Sequence, residues 1–416
     1  VKEDARSLRL LAGLAALNVL GYVDRQLVVA LAPLLIADLG LTRADVGLLV
    51  GVAFIPVFAV ASLVVGVLAD RVPRPRLIAG GLVAWSAATA LTATASGLSS
   101  IAAWRAGVGV GEATLPPTAL AMLGDRFPAR RLGLASGVFY AGIPVGFAIS
   151  FVLAGWIGPW LGWRACFLVL GTAGLGAVLA VNRMADPPRR PGTEARRPGE
   201  GSVRPGATAT ARAILSVLRG DPALLLVVLG ATLLAFTSSA SQHAITWLVE
   251  ERGFAYARAA FLSGAFVAAA GLAGSLSIGW LTDRTRARHP AGRLLAFAAL
   301  GSLGLAAAAA FYRLAPASSL FFPAWFLAQA WMLGWFGPAL AAVDESAPPG
   351  RRATMLGFCL LTVNLLGVAT GPWVTGVIGD RAGLTRGLLA SVGVGALGLL
   401  LVTVAALLRI RRPDSS

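Results

Sequence analysis

The sequence predicts an all-α membrane protein, with twelve transmembrane helices arranged as two six-helix bundles. Three observations predict it. The 416 residues are 57% hydrophobic and only 13% charged, with mean hydropathy +0.78, whereas a soluble domain carries about 25% charged residues. The apolar residues form runs near the roughly 20 residues needed to cross a bilayer, spread along almost the whole chain. Landmarks of the first half also return in the second, the clearest pair 213 residues apart.

Taken in order, apolar runs separated by short charged or Pro/Gly-rich breaks fall at 8–36, 45–69, 77–97, 99–122, 132–157 and 163–182. The first is too long for a cleavable signal, and a second span follows closely, so it is expected to remain. Six more runs lie at 221–249, 257–281, 293–312, 316–343, 353–378 and 385–408. Between the sixth and seventh, a Pro-, Gly- and Arg-rich stretch has almost no apolar content and reads as a linker ending in an amphipathic helix near Ala211–Leu218. The division is a first bundle over 1–182, a cytoplasmic linker over 183–218 and a second bundle over 219–416.

The net charge of +16 is a topology signal. An even number of spans puts both termini on one side. Of the 35 basic residues, 26 fall in segments on that side, seven on the other, and two, Arg25 and Arg105, within spans. The positive-inside rule therefore places both termini and the linker in the cytoplasm of an inner or plasma membrane. No nucleic-acid partner is expected. Cys166 and Cys359 lie in apolar runs, and only two histidines are present, so no disulfide framework, metal site or cofactor is implied. The chain has no G-x-S-x-G, H-E-x-x-H or G-x-x-x-x-G-K-[ST] pattern, so common hydrolase chemistry and ATP-driven pumping are not expected and an enzyme is not the favoured reading.

Spans two and eight end alike, in G-V-L-A-D-R-V-P-R-P-R (Gly66–Arg76) and G-W-L-T-D-R-T-R-A-R (Gly279–Arg288). An acid at a helix end beside several arginines can latch one conformation, which nominates Asp70, Arg71, Arg74, Arg130, Asp283 and Arg284. The competing reading is a loop of ordinary solvated charges. Parallel repeats of this kind put a substrate pathway between the halves near the midplane.

Span one carries N-V-L-G-Y-V-D-R-Q, and span four carries W-R-A-G-V-G-V-G-E-A-T-L-P-P. Each charge costs roughly 2.5–3.5 kcal/mol at a bilayer centre on insertion scales. Asn18, Tyr22 and Arg25 share a helical face with Asp24 on its shoulder. Arg105 and Glu112 lie two turns, about 10 Å, apart. Gly107, Gly109 and Gly111 offer a strip for close helix packing, and Pro116 and Pro117 disturb the helix. Two acids and two bases inside spans are expected to face a watery interior and pair. The alternative is a purely structural ion-pair network.

The G-x-L-A-D-R-x-x-R signature resembles that of the major facilitator superfamily, with Pro73 where a Gly is usual. G-Y-V-D-R, R-x-G-V-G-V-G-E-A-x-x-x-P-T and D-R-F-P-A-R-R-L-G-L-A-S-G-V-F-Y-A-G-I-P-V-G resemble its Spinster-like branch, the lysolipid and sphingosine-phosphate transporter relatives. The organic anion:cation symporter branch shares part of the pattern, although Gly21 stands where its Asn is usual. The resemblance implies that Asp24, Arg25, Arg105 and Glu112 are charged cavity residues.

A carboxyl that swaps partners as helices rock can gain and lose a proton. Glu112 is expected to be the main proton carrier with Arg105 tuning it, and Asp24 the second candidate. Arg25 and Arg105 suit a phosphate or carboxylate head group. Asn18, Tyr22, Tyr140, Gln242, Trp331, Trp335 and Asn364 complete the candidate binding residues, and His243 is expected to be a hydrogen-bonded helix residue. The favoured reading is a monomeric, proton-coupled, alternating-access transporter of an amphipathic anionic lipid. A small organic anion symporter, a multidrug exporter and a non-transporting lipid receptor are the alternatives.

Overall fold

The computed structural model of the chain describes residues 2–69, 71–188, 207–289 and 291–411. Among them all regular structure is helical, and nine helices are long and apolar enough to cross a membrane. The remaining spans are hidden by their own chemistry. Span three, Arg74–Thr92, begins on basic residues. Span four is split into Leu98–Glu112 and Leu115–Arg126 and carries Arg105 and Glu112. Spans five and six run on from Ala129–Tyr140 through Gly142–Val181, interrupted where Gly162 takes φ 77°, a left-handed conformation that glycine adopts without Cβ strain. Twelve spans result, as the apolar runs predict.

Several spans are broken, and proline explains part of the pattern. Span one passes from Lys2–Ala30 into Ala32–Leu39, with Pro33 in its first turn. In span four, Pro116 and Pro117 provide no N–H for the carbonyls of Glu112 and Ala113, four residues earlier, so the helix lapses after Glu112. Span two is split into Arg43–Val50 and Ile55–Leu68. Span eleven runs Arg352–Thr362, a π-helical stretch Val363–Val368, then Thr370–Ala382.

The chain divides into two compact units. Unit 1 holds Val1–Leu41, Val52–Ser202 and Ala255–Gly264; unit 2 holds Thr42–Gly51, Val203–Phe254 and Ala265–Ser416. The short segments Thr42–Gly51 and Ala255–Gly264 each group with the opposite half of the sequence, and their first residues are 213 positions apart, the spacing of Gly66 and Gly279.

Within unit 1, span one is set against span five by two glycines of the G-I-P-V-G stretch. A Cβ on Gly142 would meet Val19 N at 3.1 Å, and one on Gly146 would meet Val19 O at 2.7 Å. Such small residues let helix backbones approach in a membrane. Tyr256 donates its hydroxyl to Ala30 O at 2.9 Å. Cys166 is buried in span six.

Within unit 2, Asp380 accepts from the backbone N–H groups of Arg43 and Ala44 at 3.0 and 2.9 Å, capping a helix start, while Arg43 also pairs with Glu250 at 2.7 Å. A cluster of Trp247, Phe311, Tyr312, Phe321 and Trp325, with neighbouring ring centroids mostly 5.0–6.5 Å apart, fills the space between spans seven, nine and ten. Cys359 is buried in span eleven. The expected amphipathic helix is Ala207–Gly220, to which Arg351 donates at Ala213 O (3.1 Å) and Ser216 Oγ (2.8 Å). Linker residues 189–206 lie outside the described residues.

Candidate functional site

Asp24 and Arg25 are neighbours on a helix, so their side chains leave it about 100° apart, and each finds a partner on span four. Arg105 Nη1 donates to Asp24 Oδ1 at 3.0 Å, and Arg25 Nε donates to Glu112 Oε2 at 2.5 Å. The direct hydrogen bonds cross over relative to the sequence expectation. Glu112 is held by Arg25, whereas Arg105, two turns away along span four, is matched to Asp24.

The two pairs differ in surroundings. Asp24 and Arg105 are sealed, at 2% and 1% exposure, and Thr89 of span three donates its hydroxyl to Asp24 Oδ2. Glu112 is equally buried, at 2% exposure, but its partner Arg25 is 21% exposed, and the two border a small recess lined also by Asn18, Gly21, Tyr22, Trp85, Leu115 and Pro116. Glu112 Oε1 is buried with no hydrogen-bond partner in the protein. The recess follows from the sequence locally: Gly21 leaves room beside Glu112, where a Cβ would already stand 3.8 Å from Glu112 Cδ, and the proline break ends the helix at that residue.

Aromatic rings complete the setting. The Arg25 guanidinium lies 4.4 Å from the Phe58 ring centroid, 4.9 Å from Tyr22 and 5.0 Å from Phe54. Arg105 lies 4.9 Å from the same Phe54 ring. Such contacts contribute about 0.5–2 kcal/mol, more as water is excluded, and they leave the guanidinium N–H edge available to an anion. Sequence reasoning missed Phe54, Phe58, Trp85 and Thr89. The i, i+4 spacing of Phe54 and Phe58 was a usable signal, since it puts both rings on one face of span two.

Asn18, Tyr22 and Arg25 share the recess face as predicted. Asn18 also ties span one to span five by donating to Phe139 O at 2.7 Å. The glycine strip divides. A Cβ on Gly107 or Gly111 would meet span three, at Ala88 Cβ (3.3 Å) and Trp85 N (2.6 Å), whereas one on Gly109 would meet Phe54 O of span two at 3.3 Å. Residues two apart on a helix point in nearly opposite directions, so three alternate glycines serve two neighbours.

The other candidates do not join this recess. Arg105 is withdrawn from it into the pair with Asp24. Tyr140 is exposed, with its ring edge against Phe139. In unit 2, Trp331 is core: its ring fills the notch at Gly301 and Gly304, where a Cβ would meet it at 2.8 and 2.3 Å. Trp335 is buried beside Phe336. Gln242 is half-buried, and Asn364, in the π-helical stretch, donates to Leu360 O at 2.8 Å. His243 is buried and donates from Nε2 to Pro372 O at 2.7 Å, the hydrogen-bonded role expected of it.

Among the described residues, the latch candidates have partners that the sequence did not name. Asp70 lies outside the described residues. Arg74 is buried and reaches Asp125 at 2.6 Å and Asp186 at 2.8 Å, with Pro187 O at 2.6 Å. Arg71 and Arg130 are exposed. In unit 2 the corresponding cation is Arg293, 219 residues after Arg74. It pairs with Asp283 at 2.7 Å and Glu345 at 3.1 Å, while Arg284 lies over the Trp280 ring. Asp125 and Glu345 are 220 residues apart, so the basic-to-acidic tie from the third to the fourth span of each repeat is itself repeated. Arg293, Asp125, Asp186 and Glu345 were missed because each lies outside the quoted signature.

Residues 14–372 match the Major Facilitator Superfamily. The chain is 28% identical over 412 residues to an MFS-type efflux pump of Mycolicibacterium smegmatis, covering 95% of this chain and 88% of that one. It is 29% identical over 254 residues to human protein spinster homolog 1, covering 60% of this chain and just under half, 47%, of the relative. The crystal structure of a bacterial homologue of the human lysosomal transporter Spinster, described as inward-facing and unoccupied, superposes with TM-score 0.83 at 20% identity over 99% of both chains. With a twelve-span helical fold and a family match over most of its length, the chain belongs to the Major Facilitator Superfamily and is a multi-pass membrane transporter of small molecules.

Proposed function

We propose that this protein is a proton-coupled, alternating-access transporter of an amphipathic anion, a lysophospholipid or a sphingoid-phosphate-like lipid. The observation that carries this reading is the Arg25–Glu112 pair at the recess, with one carboxylate oxygen on the guanidinium and the other without a protein partner. Two charges held together in a low-dielectric site are close to neutral. An anionic head group that takes the Arg25 guanidinium leaves Glu112 without its counter-charge, and a buried lone carboxylate is costly. Proton uptake by Glu112 restores neutrality. Anion and proton therefore favour each other's binding, and linkage makes the effect reciprocal. The rings of Tyr22, Phe54 and Phe58 around Arg25 support a cargo with an apolar part.

The charge distribution along the loops supports an inner or plasma membrane location with both termini in the cytoplasm. The division into halves, the latch role of the Arg74 and Arg293 ties, and a monomeric state belong to the same reading. The similarity to an efflux pump favours one second reading, export of an apolar drug-like compound by the same fold.

Uptake of a lysophospholipid into proteoliposomes, with and without a pH gradient, tests the proposal. The gradient is expected to drive flux in the wild-type protein and to have no effect in Glu112→Gln. Gradient dependence unchanged in that variant removes Glu112 as proton carrier. Flux of a cationic drug without competition from lysolipids favours export.

A further inference from the structure

Thr89 sits where a single hydrogen must serve two acceptors. Its Oγ1 faces Asp24 Oδ2 and also lies 2.9 Å from Trp85 O, one turn back on its own helix. A hydroxyl has one hydrogen to give and can accept two. With Asp24 ionised, the hydrogen points at the carboxylate, and Trp85 O keeps its helical N–H. With Asp24 protonated, the carboxyl O–H donates to Thr89 Oγ1, and the hydroxyl turns to Trp85 O. Either state leaves the Asp24–Thr89 contact hydrogen-bonded, and the change between them needs only rotation about the threonine Cβ–Oγ bond.

We infer that Thr89 is a positioning residue for proton exchange at Asp24, which makes Asp24 a second proton-carrying carboxyl beside Glu112. The inference rests on the proton-coupled reading and deepens it. The charged groups facing Asp24 are Arg105 from span four, at 3.0 Å, and Arg25 beside it in sequence, which is paired in turn to Glu112. From span three, among the described residues, the Thr89 hydroxyl is the group hydrogen-bonded to it. A proton on Asp24 frees the charge of Arg105, whose Nε has no hydrogen-bond partner in the protein, and Phe54 holds both guanidiniums over one ring. An anion at Arg25 and a proton on Asp24 thereby become mutually favourable.

Acid-induced difference infrared spectroscopy on the purified protein, together with the pH profile of lysolipid uptake, tests this. Wild type and Thr89→Ser are expected to share a protonated-carboxyl C=O band that Asp24→Asn lacks. Thr89→Val, which keeps the shape and removes the hydroxyl, is expected to shift that band to higher frequency and to alter the pH profile. A band untouched by Asp24→Asn overturns the inference. So does a Thr89→Val variant that matches wild type in both band and profile. If Thr89→Val does not fold, the Asp24→Asn comparison and the Thr89→Ser rescue still decide. Absence of any pH-gradient effect on wild-type flux, with the Asp24 band present, would instead sink the transport reading and leave the proton site standing.

Discussion

Gly81 and Gly111 meet backbone to backbone: a Cβ on Gly81 would stand 2.6 Å from Gly111 O, and one on Gly111 would stand 2.7 Å from Gly81 O. The contact presses span four onto span three immediately before Glu112, so the position of the recess carboxylate depends on the absence of two methyl groups.

Gly111→Ala is expected to destabilise the protein by about 1–3 kcal/mol through overpacking and to reduce transport with it. Gly80→Ala, next to Gly81 in sequence and with nothing within 4 Å of the added Cβ, is expected to be neutral or slightly stabilising, as a helical glycine-to-alanine change is where space allows. Thermal unfolding of the two variants in the same detergent measures the contrast.

Arg74→Ala removes a buried cation that reaches Asp125 at 2.6 Å and Asp186 at 2.8 Å. Breaking a buried pair costs about 3–5 kcal/mol, and a loss of that order is expected here. Arg293→Ala, at the more exposed counterpart, where Asp283 is 68% exposed, is expected to cost clearly less, because surface pairs contribute at most about 1 kcal/mol each. Denaturation midpoints of the two variants check the order.

Phe58→Leu keeps bulk and removes the nearest ring from Arg25. Losing a cation–π contact worth about 0.5–2 kcal/mol is expected to weaken binding of a lysolipid roughly two- to thirtyfold. Arg25→Lys, which gives up the fork geometry, is expected to weaken it at least as much. Titration calorimetry on each variant reads both effects.

Asp38, at the end of span one beyond the membrane-spanning run, accepts from Trp163 Nε1 at 2.9 Å and from Arg164 at 2.5 Å. The Trp163 hydrogen bond, then that of Arg164, lowers its pKa below the ordinary carboxylate value. A group whose folded-state pKa is lowered adds stability that is present above the unfolded value, near 3.9, and lost as pH falls through the folded one. Asp38→Asn is therefore expected to lower thermal stability slightly at pH 7, less so in high salt, and to make no difference in strong acid. Unfolding curves from pH 7 down to about pH 2.5 test the convergence.

Much of the fold was legible. Apolar runs gave the spans, because a bilayer imposes length and charge rules that a linear scan can apply. The exchanged segments Thr42–Gly51 and Ala255–Gly264 were not legible, since nothing in a helix's own sequence states which neighbour its first turns prefer. At the site, residue identities were readable because buried charge is costly enough to stand out, and the shared face of Asn18, Tyr22 and Arg25 followed from helical periodicity. The crossed pairing of Arg25 with Glu112 and Arg105 with Asp24 was not, because long side chains erase the register that backbone spacing suggests. Trp331 and Trp335 illustrate the other limit: a tryptophan in a span suits cargo, lipid or core equally, and the Gly301–Gly304 notch that claims Trp331 lies a span away.

The chain's two thiols, Cys166 and Cys359, are both enclosed by packing. Reagents added from solution would find neither, so a reporter cysteine installed at the recess rim would be the first group to be alkylated. The native protein already provides the quiet background that labelling studies of helix movement ordinarily have to engineer.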